Sequence, residues 1–447
     1  MKDAVSHDMS TDLMQKRETA KRGGKDFLLP FHFCASVLKS SRIVFLFLLL
    51  TVSAWGHEPI FLGVDTFFEE GKEVSLKGKR VGLVINQTSY NRSLQETYQL
   101  FREKAEHFKI VALFCPEHGI KGSGYAAENI QDEKTEDGTP IYSLHGSVRR
   151  PTGAMLKNID VLIFDMQEIG CRSYTYATTL YYVMEEAAKK GIKVIVLDRP
   201  NPMNGETVEG PMLKAKWRSF VGYINVPYCH GMTIGELALF FNKEYGIGCD
   251  LDVVSMKGWK RWMSFKHTGL SWIPTSPNIP ESDTPYFYAT TGVLGELGFV
   301  NIGIGYTQPF KIVGAPWISA EDFAHHLNKQ KLPGVKFIPY YFRPFFGVYK
   351  QEACEGVKII ITNPLSYSPL KVQYMLLGVL KTLYPSKMAS CLKALSPQKK
   401  KMFCNINGNE EILEMLFSEK YVAWKMIMFD QEERKAFLET RKKYLLY

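Results

Sequence analysis

The stretch from residue 109 to residue 201 decides the fold, because apolar runs in it end abruptly in polar clusters. These runs and clusters read KIVALFC-PEHG (109–119), VLIF-DMQEIG (161–170) and VIVL-DRPNP (194–202), and an earlier one reads VGLVI-NQTS (81–89). Short continuous apolar runs separated by helical stretches are typical of parallel strands buried on both faces. The sequence therefore predicts an α/β fold with a Rossmann-like, doubly wound parallel sheet.

The polar clusters are expected to meet in one place. In an open parallel sheet the carboxyl ends of the strands face a single crevice, where ligands bind. The clusters bring carboxylate, imidazole, amide and guanidinium groups to that crevice. No GxGxxG motif follows the first strand, so we expect neither a dinucleotide nor another cofactor.

Length and composition indicate a globular protein of two domains. The chain has 447 residues, 45% of them hydrophobic and 23% charged. We predict an N-terminal extension with a signal peptide (1–56), a Rossmann-like catalytic domain (57–263) and an α+β domain that completes the cleft (264–447). A net charge of +9 without a dense basic block argues against nucleic acid and leaves room for a weak preference for an anionic polymer. The eight cysteines lack CxxC or Cys/His spacing, so we expect neither a zinc site nor a disulfide framework.

Residues 39–56 have the pattern of an export signal. A basic lead precedes an apolar run at residues 43–50, and Ala54 and Gly56 form the small-x-small pattern of a cleavage site. The apolar run is too short for a comfortable membrane span. We therefore expect cleavage before His57, export to the periplasm or the exterior, and no permanent membrane span.

Periodicity predicts helices over residues 93–108 and 173–190. Residues 117–158 are mostly polar and without periodicity, and we predict that they form a loop covering a site. Thr233 is expected to cap a helix, with Glu236 in the capping-box position three residues later. Glu236 is therefore assigned a structural role rather than a catalytic one.

Three carboxylates at the predicted strand ends are candidates for catalysis: Glu117, Asp165 and Glu168. Burial behind a strand is expected to raise the pKa of Glu117, which suits a general acid near neutral pH. The alternative for Glu117 is a salt-bridged or capping glutamate. Glycoside hydrolysis generally needs two carboxyl groups, and Asp165 or Glu168 would support the charge that develops on the sugar. The competing interpretation is a divalent cation with ligands drawn from Asp165, Asp198, His118 and His230.

Other polar and aromatic side chains at the strand ends are predicted to bind substrate. Arg172 suits a carboxylate through a bidentate fork, while Tyr174 and Tyr176 suit a sugar ring by stacking. The alternative for these three is packing of the following helix. His118 is predicted to orient Glu117 or to contact substrate, and the alternative is a structural histidine whose hydrogen bonds the protein satisfies. The remaining predicted binding residues are Asn86, Asp198, Asn201, His230 and Asn278, of which Asp198 has turn capping as a strong alternative.

Short motifs occur along the chain in one fixed order: NQT (86–88), PEHG (116–119), DxQxxGxRxYTY (165–176), DRPNP (198–202), HGMTxGE (230–236), SPNIP (276–280) and GAPW (314–317). Together they make the chain resemble the exo-β-N-acetylmuramidase (NamZ) family, formerly a domain of unknown function, over residues 63–447. The resemblance implies a Rossmann-like domain, a smaller C-terminal domain and an active site between them. It also implies release of N-acetylmuramic acid from the non-reducing end of peptidoglycan fragments, with muropeptides as partners. The glutamate of the PEHG motif, favoured for catalysis in that family, corresponds to Glu117.

The chain departs from the family pattern at two places. Glu168 stands where the family usually has aspartate, a change that keeps the charge on a longer arm. Residues 301–310 read NIGIGYTQPF, so that Ile302, Ile304 and Gln308 replace one expected Glu and two expected Arg. If the replaced groups hold the lactyl carboxylate or the N-acetyl group, substrate range or activity has changed. The alternative function is therefore a muropeptide-binding protein of the same fold with weakened catalysis.

Overall fold

The computed structural model describes residues Glu58–Tyr447, with a seven-stranded sheet at its centre. The strands are β1 Arg80–Ile85, β2 Lys109–Cys115, β3 Glu133–Lys134, β4 Pro140–Ser143, β5 Val161–Asp165, β6 Lys193–Leu197 and β7 Leu251–Val254. They lie in the order β3-β4-β2-β1-β5-β6-β7, and only the β3–β4 pair is antiparallel. The four predicted strands are all present, and the predicted parallel sheet is confirmed. The predicted export signal lies outside the described residues.

Helices cover both faces of this sheet. They are α1 Gly63–Glu69, α2 Thr97–Glu103, α3 Gly153–Leu156, α4 Thr175–Lys190 and α5 Ile234–Glu244. Neighbouring residues of β1 face opposite sides, so that Leu83 packs in the apolar cluster with α1 and α2, and Val84 in the cluster with α4 and α5. The predicted capping box is confirmed, because Thr233 Oγ1 accepts the Glu236 N–H at 3.2 Å and Glu236 Oε2 accepts the Thr233 N–H at 3.0 Å.

The prediction of a helix over residues 93–108 is too long at both ends, because α2 spans only Thr97–Glu103. The side chain of Asn91 accepts hydrogen bonds from the backbone N–H groups of Ser93 at 2.9 Å and Gln95 at 2.8 Å. Such local bonds offer the backbone an alternative to a helix. Leu94 adopts a φ of +61° in this turn, which no helix allows.

The connection predicted as a loop over residues 117–158 contains β3, β4 and α3, so that prediction is also wrong. Strand β4 pairs in parallel with β2 and extends the central sheet. It is only four residues long, with Ile141 and Ser143 buried. A segment this short carries too few apolar residues for a periodic pattern.

A smaller domain follows, built on an antiparallel sheet of three strands in the order β8-β10-β9. These strands are β8 Ile312–Ala315, β9 Val335–Phe342 and β10 Cys354–Ile361. The helices around them are α6 Thr284–Glu296, α7 Ala320–Lys329, α8 Pro369–Leu383, α9 Pro385–Lys393, α10 Pro397–Asn407, α11 Glu411–Ser418, α12 Ala423–Met428 and α13 Gln431–Arg441. One apolar cluster continues from the central sheet into this domain. No helix between residues 58 and 447 is both long and apolar enough to cross a membrane.

Arg172 fastens the segment before α4 to the end of α10. Its guanidinium is buried and donates to the carbonyl oxygens of Pro211 at 2.8 Å, Val226 at 2.6 Å, Ile406 at 3.2 Å and Asn407 at 2.7 Å. Burial lowers the pKa of Arg172 to about 10. The structure therefore gives Arg172 a structural role in place of the predicted fork for a substrate carboxylate.

Replacing Arg172 by Met removes the donor for these buried carbonyl groups, and we expect the free energy of unfolding to fall by about 3 kcal/mol or more. Arg80, which pairs with Asp160 at 2.7 Å on the surface, supplies the control. Exposed ion pairs contribute about 0–1 kcal/mol, so Arg80→Met should cost much less. Urea unfolding of both variants measures the difference, and equal losses would contradict the role given to Arg172.

Candidate active site

Glu117 lies directly after β2 in a tight turn. His118 and Gly119 adopt φ angles of +73° and +77°, and His118 is buried. A left-handed conformation is uncommon for histidine, so contacts must hold it. The His118 Nδ1 atom lies 2.8 Å from the carbonyl oxygen of Gly124, which closes the turn. This contact fits the structural alternative for His118, and it also fixes the turn that carries Glu117.

Three groups surround the carboxylate of Glu117. The Thr175 hydroxyl, at the start of α4, donates to Oε2 at 2.7 Å, and the Ala127 N–H donates to Oε1 at 2.9 Å. The His145 Nε2 atom lies 3.7 Å from Oε1, and 13% of the Glu117 side chain is exposed. The carboxylate is thus fixed in direction but still reachable from solvent.

The pKa of Glu117 lies below the usual value for glutamate. Burial raises it, but the Ala127 N–H, the charge of His145 and the Thr175 hydroxyl together lower it by more. The predicted rise in pKa is therefore wrong, and Glu117 is ionised at neutral pH. Burial also lowers the pKa of His145, against the attraction of Glu117.

Sequence reasoning missed Thr175 and His145. Thr175 stands inside the YTY motif, where only the tyrosines were assigned a function. His145 follows β4, the strand that the sequence did not reveal. A histidine placed after a strand end is the signal that could have found it.

Tyr174 and Tyr176 lie beside Glu117 but are packed inside the protein. Their rings meet edge to face with centres 4.8 Å apart, and they are only 7% and 1% exposed. Burial raises the pKa of both phenols, and the nearby charge of Glu117 adds to the rise. Neither ring has a face open for stacking on a sugar, so the predicted stacking is not supported.

The SPNIP loop is fastened against the same region. The Tyr176 hydroxyl donates to the Thr275 carbonyl at 2.5 Å, and the Gln87 side-chain amide donates to Pro274 at 3.1 Å and Thr275 at 2.9 Å. The loop carries Asn278, which is half-buried. These bonds bring the predicted binding residue Asn278 to the sheet edge that holds Glu117.

Glu168 and His230 form a second, deeper cluster. The His230 Nε2 atom lies 3.6 Å from Glu168 Oε2, and the side chains are 1% and 2% exposed. The Met232 N–H donates to His230 Nδ1 at 3.2 Å, so the Nε2 atom of the neutral ring carries the proton that faces Glu168. Within residues 58–447, Glu168 Oε1 is buried without a hydrogen-bond partner.

Asp165 forms a buried ion pair with Arg199. Arg199 donates to its Oδ1 from Nε at 2.6 Å and to its Oδ2 from Nη2 at 2.9 Å, and the Thr97 hydroxyl also donates to Oδ2. Asp165 is fully buried. Because the protein occupies both oxygens, this geometry does not support the predicted catalytic role of Asp165.

Asn201 and Asn86 organise loops at the sheet edge. Asn201 donates to the Met232 carbonyl at 3.0 Å and thereby supports the loop of His230. Asn86 Oδ1 accepts the N–H and hydroxyl of Thr88 at 2.9 and 2.6 Å. Asn86 also lines a cavity of about 340 Å³ at the carboxyl ends of β1 and β2. Asn86 is thus placed to contact a ligand, whereas Asn201 acts inside the protein.

The predicted cation site does not form. His118 bonds Gly124, Asp165 bonds Arg199, and His230 lies beside Glu168, each in a separate group. In the part of the chain that the structure describes, no three side chains of metal-binding type converge. The geometry therefore does not support the cation interpretation.

Asp198 accepts four hydrogen bonds from the protein. The donors are the N–H groups of Arg199 at 2.9 Å and Gly235 at 2.8 Å and the hydroxyls of Thr233 and Tyr447, both at 2.7 Å. Turn capping, the alternative to substrate binding, therefore accounts for Asp198. Burial raises its pKa to about 7.

This raised pKa predicts a dependence of stability on pH. Between the usual value of 3.8 and about 7 the native state binds more protons at Asp198 than the unfolded state, so its contribution to stability falls as pH rises. We expect the unfolding free energy of Asp198→Asn relative to wild type to rise by on the order of 3 kcal/mol from pH 4 to pH 7. The control is Asp160→Asn, because Arg80 lowers the native pKa of Asp160 to about 2. The unfolding free energy of this variant relative to wild type should therefore stay nearly constant from pH 4 to pH 7. If urea unfolding shows that the unfolding free energy of Asp198→Asn relative to wild type does not change with pH, the raised pKa of Asp198 is contradicted.

Comparison with known proteins identifies the family. The N-terminal model of exo-beta-N-acetylmuramidase NamZ matches residues 81–283, and the C-terminal model matches residues 286–447. Peptidoglycan beta-N-acetylmuramidase NamZ of Bacillus subtilis (strain 168) is 40% identical over 388 residues, which cover 86% of this chain and 91% of the relative. Two crystal structures of DUF1343 family proteins from Bacteroides fragilis NCTC 9343 share the fold. Their TM-scores are 0.81 at 39% identity and 0.69 at 27% identity, and each alignment covers 87% of this chain and 99% of the other. The chain therefore belongs to the exo-β-N-acetylmuramidase NamZ family.

Proposed function

We propose that this protein is an exo-acting glycoside hydrolase that releases N-acetylmuramic acid from the non-reducing end of peptidoglycan fragments. The family and the named activity of the Bacillus subtilis relative support this substrate. The observation that carries the proposal is the Glu117 carboxylate, held by Thr175 and Ala127 beside His145 and partly open to solvent. Muropeptides and peptidoglycan disaccharides are the substrates in this proposal.

Glu117 acts in the proposal as an ionised group. Hydrolysis breaks the bond between the anomeric carbon and the leaving oxygen, and a water molecule adds to that carbon. A carboxylate fixed by two donors can accept the proton of this water, or stabilise the positive charge on the sugar, without reorienting. The lowered pKa of Glu117 favours these roles over the general acid predicted from the sequence.

Glu168 supplies the second carboxyl group. Its Oε1 atom has no hydrogen-bond partner among the described residues, and the His230 imidazole lies beside Oε2. Asp165 has no part in the chemistry, because Arg199 and Thr97 use both of its oxygens. A pair of carboxyl groups is what most glycosidases require.

The alternative, a muropeptide-binding protein with weakened catalysis, is motivated by Ile302 and Ile304, and both side chains contact the apolar core. Ile302 is 7% exposed within the apolar core, and Ile304 packs against that core. The Asn301 side chain closes the same loop by donating to the carbonyls of Ile304 at 3.1 Å and Val348 at 2.9 Å. The two isoleucines therefore stabilise the interior of the smaller domain.

Exchanging Glu117 for Gln removes the charge and keeps the shape. We expect kcat on para-nitrophenyl β-N-acetylmuramide to fall by about 10²–10⁴-fold while KM changes little, because the carboxylate acts on the reaction rather than on binding. Glu133→Gln, an exposed glutamate on β3, is the control and should keep full activity. The N-acetylglucosaminide should be a poor substrate for every form.

The pH profile of kcat/KM for wild type distinguishes the two roles of Glu117. A base with a lowered pKa keeps the enzyme active from about pH 5 upward, with loss only at more acidic pH. A rate that falls as pH rises from 5 to 7, through a step absent in Glu117→Gln, would show a general acid instead. Full activity of Glu117→Gln would overturn the assignment of this residue.

We also propose that the protein is exported and processed before His57. The basic lead, the apolar run at residues 43–50 and the small residues Ala54 and Gly56 support this. In a Gram-negative host expressing the full chain, N-terminal sequencing of the protein from the periplasmic fraction should begin at His57. Retention of the apolar run in a membrane-bound product would contradict the proposal.

A further inference from the structure

The net positive charge of the described chain belongs to its last helices. Residues 369–447 contain 14 Lys and Arg against 8 Asp and Glu, a net charge of +6. Residues 57–368 contain 33 of each sign and are neutral overall. The region that carries Glu117 and Glu168 is therefore electrically balanced, and attraction for a polyanion resides in residues 369–447.

The same helices expose a group of large apolar side chains, here called the aromatic patch: Phe417, Tyr421, Trp424 and Met428. They are 43%, 70%, 59% and 57% exposed, respectively. Lysines lie over two of the rings, with Lys400 Nζ 5.0 Å from the centre of Phe417 and Lys420 Nζ 5.2 Å from that of Tyr421. Clustered exposure of this kind marks an interaction site more often than single exposed residues do.

Trp424 stands between two cavities. An apolar cavity of about 170 Å³ on one side is also lined by Met375, Val379, Leu383 and Tyr421. A polar cavity of about 290 Å³ on the other side is also lined by Ser368, Lys371, Tyr374 and Arg434. The exposed aromatic side chains thus lie next to a basic cavity that can form hydrogen bonds.

The polar cavity contains a buried group without a partner. Tyr374 is 2% exposed, and within residues 58–447 its hydroxyl makes no hydrogen bond. A buried hydroxyl left unpaired costs free energy, which a ligand oxygen could recover. Glu209 also lines this cavity, but its Oε2 accepts the Leu370 N–H at 3.0 Å. Arg434 Nη1 already donates to the carbonyls of Gly210 at 3.1 Å and Phe429 at 2.5 Å. The Lys371 ammonium, the Tyr374 hydroxyl and the positive charge of Arg434 therefore favour an oxygen-rich, anionic ligand.

We propose that the aromatic patch and the adjoining polar cavity form a second saccharide site, which holds the peptidoglycan strand whose end the active site processes. Sugar rings would stack on Tyr421 and Trp424, and carboxylates of the strand would meet Lys371 and Arg434. This inference rests on the proposed function for the identity of the polymer. None of these residues belongs to the Glu117 or Glu168 clusters.

Two other occupants fit the patch less well. A lipid surface would need a broad apolar face, whereas Trp424 is flanked by a polar cavity containing a carboxylate. A second copy of this chain would bring its own positively charged C-terminal region against this one, because residues 369–447 carry a net charge of +6. A glycan with carboxylates could stack on the aromatic rings, accept hydrogen bonds from the hydroxyl donors and pair with the positive charge.

The test measures binding of the full chain to purified sacculi freed of covalently attached anionic polymers. The Glu117→Gln background is used, so that the polymer is not consumed. Trp424→Ala should weaken the apparent Kd about tenfold or more, as loss of a central aromatic contact does at binding hot spots. Trp424→Phe, which keeps a ring, should retain most of the binding. Tyr341→Ala on β9, where the tyrosine is 58% exposed, is the matched control and should bind normally.

In the chain with Glu117 intact, Trp424→Ala should turn over the soluble chromogenic muramide within twofold of wild type. Normal sacculus binding by Trp424→Ala would overturn the second site. So would a Trp424-dependent affinity for phosphatidylglycerol vesicles without sacculus binding, or a Trp424-dependent dimer in sedimentation. If wild type fails on the muramide while Trp424→Ala still loses sacculus binding, the proposed function fails and the second site stands.

Discussion

The buried ion pair between Asp165 and Arg199 is the interaction on which the functional edge of the sheet depends. The ion pair joins the end of β5 to the segment after β6. Arg199 also donates to the Tyr90 carbonyl at 2.8 Å and so holds the loop after β1 in place. The two side chains are 0% and 5% exposed, so removing one partner would leave an uncompensated buried charge. Loops fixed in this way give Glu117 and Glu168 a rigid frame for chemistry.

Much of this architecture follows from local sequence. The strands are continuous apolar runs, and the Thr233–Glu236 cap lies within four residues, so both can be recognised from local sequence. The roles of the polar side chains, in contrast, depend on contacts between residues far apart in the sequence. Arg172 meets Asn407 across 235 residues and Asp198 meets Tyr447 across 249. A carboxylate or guanidinium at a strand end looks the same in sequence whether its partner is a substrate or a distant part of the chain.

Glu117 illustrates a second limit of sequence reasoning. Its place behind a buried strand correctly predicts desolvation, but the donors that reverse the effect come from Ala127, His145 and Thr175 on three other segments. His145 in particular depends on β4, a strand too short to recognise. The net result is a pKa below the usual value where burial alone would raise it, and this changes the step in which Glu117 is expected to act.

In the proposed mechanism the reacting bond lies at Glu117. A crystal structure of the Glu117→Gln variant with a disaccharide carrying N-acetylmuramic acid at its non-reducing end would show where that bond is held. We expect the anomeric carbon and its glycosidic oxygen beside the substituted side chain, within hydrogen-bonding reach of about 3 Å directly or through one water. Glu168 should lie within the same site. A disaccharide bound with its glycosidic bond away from both side chains would rule out the catalytic roles of Glu117 and Glu168.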